Sequence, residues 1–323
     1  MDRQRIFITG ASGCIGQYIV EQLVQQTPHE LFLLVRNPDK LQVDCSVRQG
    51  IHVLQGDLQH IDDFAEVLAT IDTAILTAAA WGDPAITFDI NVTKTLALMD
   101  LLDGERCRQV IYFSTASLLG HDNQPLEEAG IIGTDYIRTK YICHQRLSEL
   151  AIAPKITTVY PTLVFGGDGT KPYSHLSGGL ADVMKWVWLI RFFKVDGSFH
   201  FVHAQDIAQV IAHLVEHPPE PGQSRDLVLG NPALTANEAI RELCAYFQKR
   251  IYFQVPLVPL ADIIIKLFRI QMAEWDRFCM EYRHFSYKEP LSPATFNQPV
   301  YCESIGDLMN VHGLPSHPMK KHG

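Results

Sequence analysis

The sequence predicts an α/β protein, a doubly wound parallel sheet joined to a smaller, mainly helical C-terminal lobe for substrate. Three observations carry that prediction. An apolar strand near the start runs through a glycine-rich loop into an amphipathic helix. Strands then alternate with helices over about 160 residues, the pattern of βαβ units. From residue 217 the composition changes to a proline-rich connection, HPPEPG, followed by short strands and helices. The expected division is 1–165 with 197–230 for a dinucleotide-binding core, and 166–196 with 231–323 for the substrate lobe.

The bulk composition narrows the function. With 47% hydrophobic and 20% charged residues, the chain reads as an ordinary globular protein. A net charge of −9 without a basic stripe argues against a nucleic-acid binder. The seven cysteines are odd in number and form no short paired spacing, which argues against a disulfide framework or a metal site and fits a reducing cytoplasm. The charged N-terminus runs straight into a strand, so no signal peptide is expected. The apolar run 255–270 is broken by Pro256, Pro259, Asp262 and Lys266, short of the ~20 residues that span a bilayer.

Taken in order, Arg5–Thr9 is a buried strand and Gly10, Gly13 and Gly16 form Gly-x-x-Gly-x-x-Gly ahead of the helix QYIVEQLVQQ. Gly10 suits a tight turn, Gly13 close approach of backbone to a pyrophosphate, and Gly16 packing of helix on strand. The second strand, 31–35, ends at Arg36, with Lys40 close behind. Arginine there suits a 2′-phosphate and hence NADP; solvated loop cations are the alternative, and Asp39 keeps NAD open. The third strand, 51–55, ends at Gly56-Asp57-Leu58, where Asp57 can meet the adenine amino group or cap the helix expected to follow to Leu68.

The fourth strand, 73–77, opens into Ala78, Ala79, Ala80 and Trp81, small side chains beside which a cofactor can lie. Residues 86–102 read as one long helix with Asn91 as a hydrogen-bonding strut. The fifth strand, 110–113, ends in Ser114-Thr115-Ala116-Ser117, hydroxyls on the rim where ligands of parallel sheets bind; for Ser114 and Ser117, turn chemistry is the simpler reading. A helix over 134–150 places Tyr136 and Lys140 on one face, one turn apart. An ammonium beside a phenol favours the phenolate, so Tyr136 is expected to have a lowered pKa and to exchange a proton with a carbonyl or alcohol.

After the strand 156–160, residues 178–194 read as an apolar helix with Trp186 and Trp188 among lysines and arginines, either a wall of a greasy substrate pocket, the preferred reading, or an interfacial segment in peripheral contact with a membrane. A strand at 199–202 precedes His203, read as structural, and a helix to Glu216. Beyond lie a strand at 226–229, a helix 236–248 capped by Thr235, a strand at 250–254, one or two helices within 257–287 and a short helix at 304–310. The tail 314–323 is expected to be mobile.

These motifs, in this order, resemble the short-chain dehydrogenase/reductase superfamily in its extended, epimerase-like branch. TGASGCIG (9–16), GDL (56–58), TAAA (77–80), NVTKT (91–95), FSTASLLG (113–120), YIRTK (136–140), YPTLVFG (160–166) and FHFVHAQDIAQV (199–210) carry the resemblance over two thirds of the chain. It implies a Rossmann fold with Tyr136, Lys140 and Thr115 as the catalytic set, Thr115 lying five residues before Gly120. It places Gly10, Ser12, Gly13, Cys14, Ile15, Gly16, Arg36, Lys40, Asp57, Leu58, Ala78, Ala79, Lys140, Tyr160 and Pro161 at the cofactor, and Trp81, Ser117 and Trp186 on the substrate side. His144 stands where family members usually carry glutamate. Some members dimerise through the tyrosine-bearing helix, so a homodimer is a candidate state. The C-terminal third is similar to hydroxysteroid dehydrogenase-like and dihydroflavonol reductase-like members.

The expected function is NADP(H)-dependent interconversion of a secondary alcohol and a ketone on a rather apolar small molecule. The alternatives are an NAD-dependent nucleotide-sugar epimerase or dehydratase, and a non-catalytic cofactor-sensing or assembly protein.

Overall fold

The computed structural model describes residues 3–220, 222–257, 271–314 and 316, the side chains of Val183 and Met184 excepted. Seven parallel strands form the central sheet: β1 (Arg5–Thr9), β2 (Glu30–Val35), β3 (Ile51–Gln55), β4 (Thr73–Leu76), β5 (Gln109–Phe113), β6 (Ile156–Pro161) and β7 (Asp226–Leu229). Their order is β7–β6–β5–β4–β1–β2–β3. The direction of winding reverses between β1 and β4, and ligands of such sheets bind at that crevice, outside the carboxyl ends of the strands. Register makes the rim continuous: Thr9 pairs with both Leu34 and Leu76, and Leu76 with Tyr112.

The inner strands β1, β2, β4, β5 and β6 are largely apolar because both their faces are covered, whereas the edge strand β3 exposes His52, Val53 and Gln55. Alternation along β1 sends Ile6 and Ile8 to one face and Phe7 to the other. The first face is covered by helices Cys14–Gln26 and Ala204–Glu216 through Ile19, Leu23, Ile207 and Ile211, all fully buried. The second packs Phe7, Phe32 and Tyr112 against Leu96, Met99, Cys143 and Leu147. Each such side chain contributes about 1.5–3 kcal/mol by leaving water.

A separate, smaller core joins helices Ala236–Tyr246 and Ile305–Val311 through Ile240, Leu243, Leu308 and Met309. Thr235 caps the first of these in a capping box with Glu238, as the sequence indicates. Buried Asp206 fastens this region to the sheet by accepting from the backbone N–H groups of Tyr301 (2.6 Å) and Cys302 (3.1 Å).

Several elements differ from expectation. The long helix over 86–102 is three pieces: α-helix Pro84–Phe88, π-helix Asp89–Lys94 and α-helix Thr95–Asp100. Within it the Thr95 hydroxyl donates to the Ile90 carbonyl five residues back at 2.8 Å. The helix expected to Leu68 is mainly a 3₁₀ segment, Leu58–Phe64, kinked at His60. The helix over 178–194 begins at His175, breaks at Trp186, resumes over Val187–Ile190 and gives way to a short strand, Phe193–Lys194. That strand pairs with Val255–Pro256, while 250–254 is not a strand. The strand at 199–202 divides into Ser198–Phe199 and Phe201–His203, which pair with different partners. Within 257–287 the helix Glu274–Tyr282 is present; residues 258–270 and most of the tail lie outside the described residues.

Candidate active site

Two glycines of the first loop are required by sterics. Gly10 has φ +67°, and a Cβ there would stand 2.6 Å from Thr77 Oγ1. A Cβ on Gly16 would stand 2.1 Å from the Gly10 carbonyl oxygen, so Gly16 makes room for the loop itself. The loop is closed by Gly13 N–H donating to that carbonyl at 2.9 Å. Helix Cys14–Gln26 then begins with no side-chain cap and no acid in its first turn. Its free N–H groups and positive dipole end suit a pyrophosphate, so these residues fit a dinucleotide. Ile15 packs on the core. The Cys14 thiol, under Gly166, is pushed up to about 12 by burial and is therefore an inert thiol.

The next rim positions are tied to this loop by a residue that the sequence did not single out. Gln17, fully buried, donates from Nε2 to the carbonyls of Ser12 (3.1 Å) and Lys40 (3.0 Å) and accepts from the Gln42 N–H at 2.8 Å. The phosphate loop and the loop after β2 are thus held in one register. Arg36 is exposed and makes no ion pair or side-chain hydrogen bond among the described residues, and Lys40 likewise leaves its ammonium free. Asp57 is a 3₁₀ N-cap, accepting from Gln59 N–H at 3.0 Å, and the Leu58 side chain is in the core.

The Tyr136 helix, Asp135–Arg146, is started by Thr134, whose hydroxyl accepts from Ile137 N–H at 3.3 Å. It delivers Lys140, 1% exposed, beneath the sheet rim. There Nζ donates to the Phe113 carbonyl at 2.7 Å, lies 4.8 Å from the Tyr112 ring centroid and 6.0 Å from that of Tyr136. Burial lowers Lys140 to about 8. Burial also pushes the Tyr136 phenol above its ordinary value. That is the opposite direction from the one expected of a phenol beside an ammonium: burial outweighs a cation whose Nζ donates to the Phe113 carbonyl and stands 6.0 Å from the phenol's ring centroid. Trp81, itself 56% exposed, lies flat on Tyr136 with ring centroids 3.6 Å apart and 11° between planes.

The loop bearing Trp81 is pinned by Asn91, the strut expected. Asn91 exchanges hydrogen bonds with the Ala80 backbone (2.8 and 3.0 Å) and donates to Thr139 Oγ1 at 3.1 Å, beside Lys140. It sits in the π-helix, a distortion that aims one side chain off the helical repeat. Ala78 N–H donates to Thr9 Oγ1 at 3.2 Å, and Ala79 is exposed on the rim. Thr115 follows β5, its Oγ1 accepting from Ser117 N–H at 3.3 Å and keeping its own hydrogen to donate. Buried Ser114 Oγ has no partner among the described residues.

A rim of glycine loop, alanine loop, hydroxyl turn and Tyr-x-x-x-Lys helix on one parallel sheet agrees with the comparisons. Residues 6–230 match the NAD dependent epimerase/dehydratase family. The chain belongs to that family. It is an NAD(P)-dependent enzyme of the extended short-chain dehydrogenase/reductase type.

Similar proteins include human short-chain dehydrogenase/reductase family 42E member 1, 20% identical over 254 residues; the alignment covers 71% of this chain and 62% of that one. A 3-beta-hydroxysteroid dehydrogenase of Mycolicibacterium neoaurum is 25% identical over 252 residues, covering 72% and 67%. The fold is shared with the Bordetella bronchiseptica enzyme WbmG solved with NAD: TM-score 0.64 at 15% identity, covering 99% of this chain and 98% of that one.

Other expected positions of this family member lie apart from the rim cluster or serve packing. The Tyr160 phenol donates to Asp226 Oδ1 (2.8 Å) and accepts from His144 Nδ1 (2.9 Å), so His144, in the glutamate's place, belongs to a hydrogen-bonded chain that runs from buried Tyr160 on β6 to exposed Asp226 on β7. Pro161 closes β6. Trp186 stands 54% exposed at its helix break with no ring contact or side-chain hydrogen bond among the described residues. Among the described residues no His/Cys/Asp/Glu cluster could hold a metal, and no helix is long and apolar enough to cross a membrane.

Proposed function

We propose that this enzyme uses NADP(H) to interconvert a secondary alcohol and a ketone on a rather apolar small molecule. The observation that carries the substrate reading is the exposed Trp81 indole lying on Tyr136, which puts an apolar surface beside the phenol. The similarity to a 3-beta-hydroxysteroid dehydrogenase supports it. The free Arg36 and Lys40 at the end of β2 support the 2′-phosphate.

A nicotinamide dinucleotide held at the Gly10, Gly13 and Gly16 loop would supply or accept the hydride. Tyr136 Oη gives the proton to the ketone oxygen, or takes it from the alcohol, so that ketone, hydride and proton balance to alcohol. Thr115, with its hydrogen free, donates to the same oxygen. Lys140, anchored on Phe113, holds positive charge near the phenol when protonated and so favours the phenolate that remains after proton transfer.

A second reading, a nucleotide-sugar epimerase or dehydratase with retained NAD, is favoured by the similarity over 99% of this chain to WbmG in complex with NAD and UDP, TM-score 0.63. Heat release of cofactor from the purified protein separates the readings. Empty or NADP-loaded protein, with turnover of apolar ketones by NADPH, is expected; stoichiometric NAD would overturn the first reading.

A further inference from the structure

Two segments distant in sequence combine exposed aromatic rings with positive charge. Trp186 (54% exposed), Trp188 (55%), Tyr252 (73%) and Phe253 (61%) belong to them. The segments are joined: Val255 N–H donates to the Phe192 carbonyl at 2.8 Å, Phe192 stacks on Phe253 at 5.1 Å, and Arg191 Nη1 donates to the Arg250 carbonyl at 3.1 Å. Residues 185–195 and 248–257 hold Lys185, Arg191, Lys194, Lys249 and Arg250 and no aspartate or glutamate, in a chain of net charge −9. Lys185 is already paired with Asp182 at 2.6 Å; the other four have no carboxylate partner among the described residues.

Each ingredient bears on what covers this surface. Clustered exposed aromatics mark a contact site where a single exposed ring does not. A second copy of the chain on a two-fold axis would set like charges against each other, and lysine is depleted in protein interfaces. An anionic bilayer meets both features: Trp and Tyr rings settle at headgroup level, and each Lys or Arg near the surface contributes about 1 kcal/mol.

We propose that this face is a peripheral membrane contact. Trp186, Trp188, Tyr252 and Phe253 enter the headgroup layer of an anionic bilayer, and Arg191, Lys194, Lys249 and Arg250 meet lipid phosphates. The contact is independent of the reaction assigned to the cleft.

Co-sedimentation of the full chain with phosphatidylcholine vesicles, with and without phosphatidylserine, tests it at low and high salt. Binding to the anionic vesicles should exceed that to neutral ones by at least ~10-fold and fall with salt. Lys194→Glu/Lys249→Glu/Arg250→Glu should abolish it, and Trp188→Ser/Phe253→Ser should weaken it, each with an unchanged melting temperature. A variant that melts lower is replaced by Lys194→Gln/Arg250→Gln, which should weaken binding in the same sense. Equal, weak sedimentation with both vesicle types overturns the proposal, as does binding that survives the charge reversal. Lipid-free dimerisation lost in these variants would assign the face to a second copy and overturn it too.

Discussion

Trp81 and Tyr136 lie face to face, 3.6 Å between ring centroids, although one follows β4 and the other opens a helix beyond β5. The indole shields one face of the proposed proton donor, meets the His175 ring at 5.3 Å and remains 56% exposed. An aromatic contact of this kind contributes about 0.5–1.5 kcal/mol beyond burial. Trp81→Ala should therefore raise KM for an apolar ketone about tenfold, with Trp81→Phe recovering most of it. Steady-state kinetics with NADPH saturating measure this, and an unchanged KM would remove Trp81 from the substrate's surroundings.

Lys140 is held at about 8 by burial, below its ordinary 10.5. The folded protein therefore binds this proton less tightly than the unfolded chain, and at pH below 8 folding carries the cost of a buried cation. The group's contribution to stability rises as pH climbs from about 8 towards 10.5. In the cofactor-free protein that cost is roughly 3 kcal/mol at neutral pH, and Lys140→Met removes it. The substitution leaves the Phe113 carbonyl unpaired, at about 1–3 kcal/mol. A net gain of about 1 kcal/mol, or ~2 °C in Tm, is expected at pH 7, disappearing by pH 10 while activity is lost throughout. Calorimetry across that range decides it, and a Tm that falls at pH 7 contradicts the assignment.

Much of the rim could be read from the chain because steric demand and strand patterning are local. Gly10 and Gly16 are glycines for reasons visible in a strand–loop–helix, and the apolar runs of β1, β2 and β5 identify a sheet buried on both faces. Relationships across the fold were not legible. Gln17 sits on an amphipathic helix, where glutamine reads as surface, yet its carboxamide is buried between two loops. Helical spacing placed Lys140 near Tyr136 but carried no information about Trp81 above the ring or the Phe113 carbonyl below the ammonium, nor about the burial that pushes the phenol up and the ammonium down. The π-helix at Asn91 leaves the apolar pattern of 86–102 unchanged, so periodicity could not reveal it.

The chain His144–Tyr160–Asp226 makes a separate prediction about stability. Tyr160 is 1% exposed and satisfies both neighbours at 2.9 and 2.8 Å. Because its hydroxyl donates to Asp226, His144 donates from Nδ1, which fixes the imidazole tautomer. Tyr160→Phe should cost about 0.5–1.5 kcal/mol, since water can reach the exposed Asp226 carboxylate and the half-buried His144 ring once the hydroxyl is gone, and should leave NADPH affinity unchanged, since the phenol points into this chain. Chemical denaturation and cofactor titration read the two quantities separately; a large loss of NADPH affinity at full stability would place the phenol at the cofactor instead.

Cofactor preference is expected to depend on Gln17 as well as on Arg36, and by different routes. Arg36 is exposed and free, so Arg36→Asp should lower NADPH affinity and raise relative affinity for NADH; an unchanged preference would mean that the arginine is merely solvated. Gln17 touches neither charge directly. It sets where Lys40 and its loop stand relative to the phosphate loop through the bonds to Ser12 and Lys40. Gln17→Leu keeps the volume and removes those bonds. Both cofactors should bind less tightly because the phosphate loop loosens, but NADPH should lose about tenfold more than NADH, since only the 2′-phosphate depends on the second loop. Dissociation constants from nicotinamide fluorescence give the ratio. A purely structural role would weaken both equally, and combining Gln17→Leu with Arg36→Asp should then add; if Gln17 acts by positioning the basic loop, the double variant should show little further change in preference.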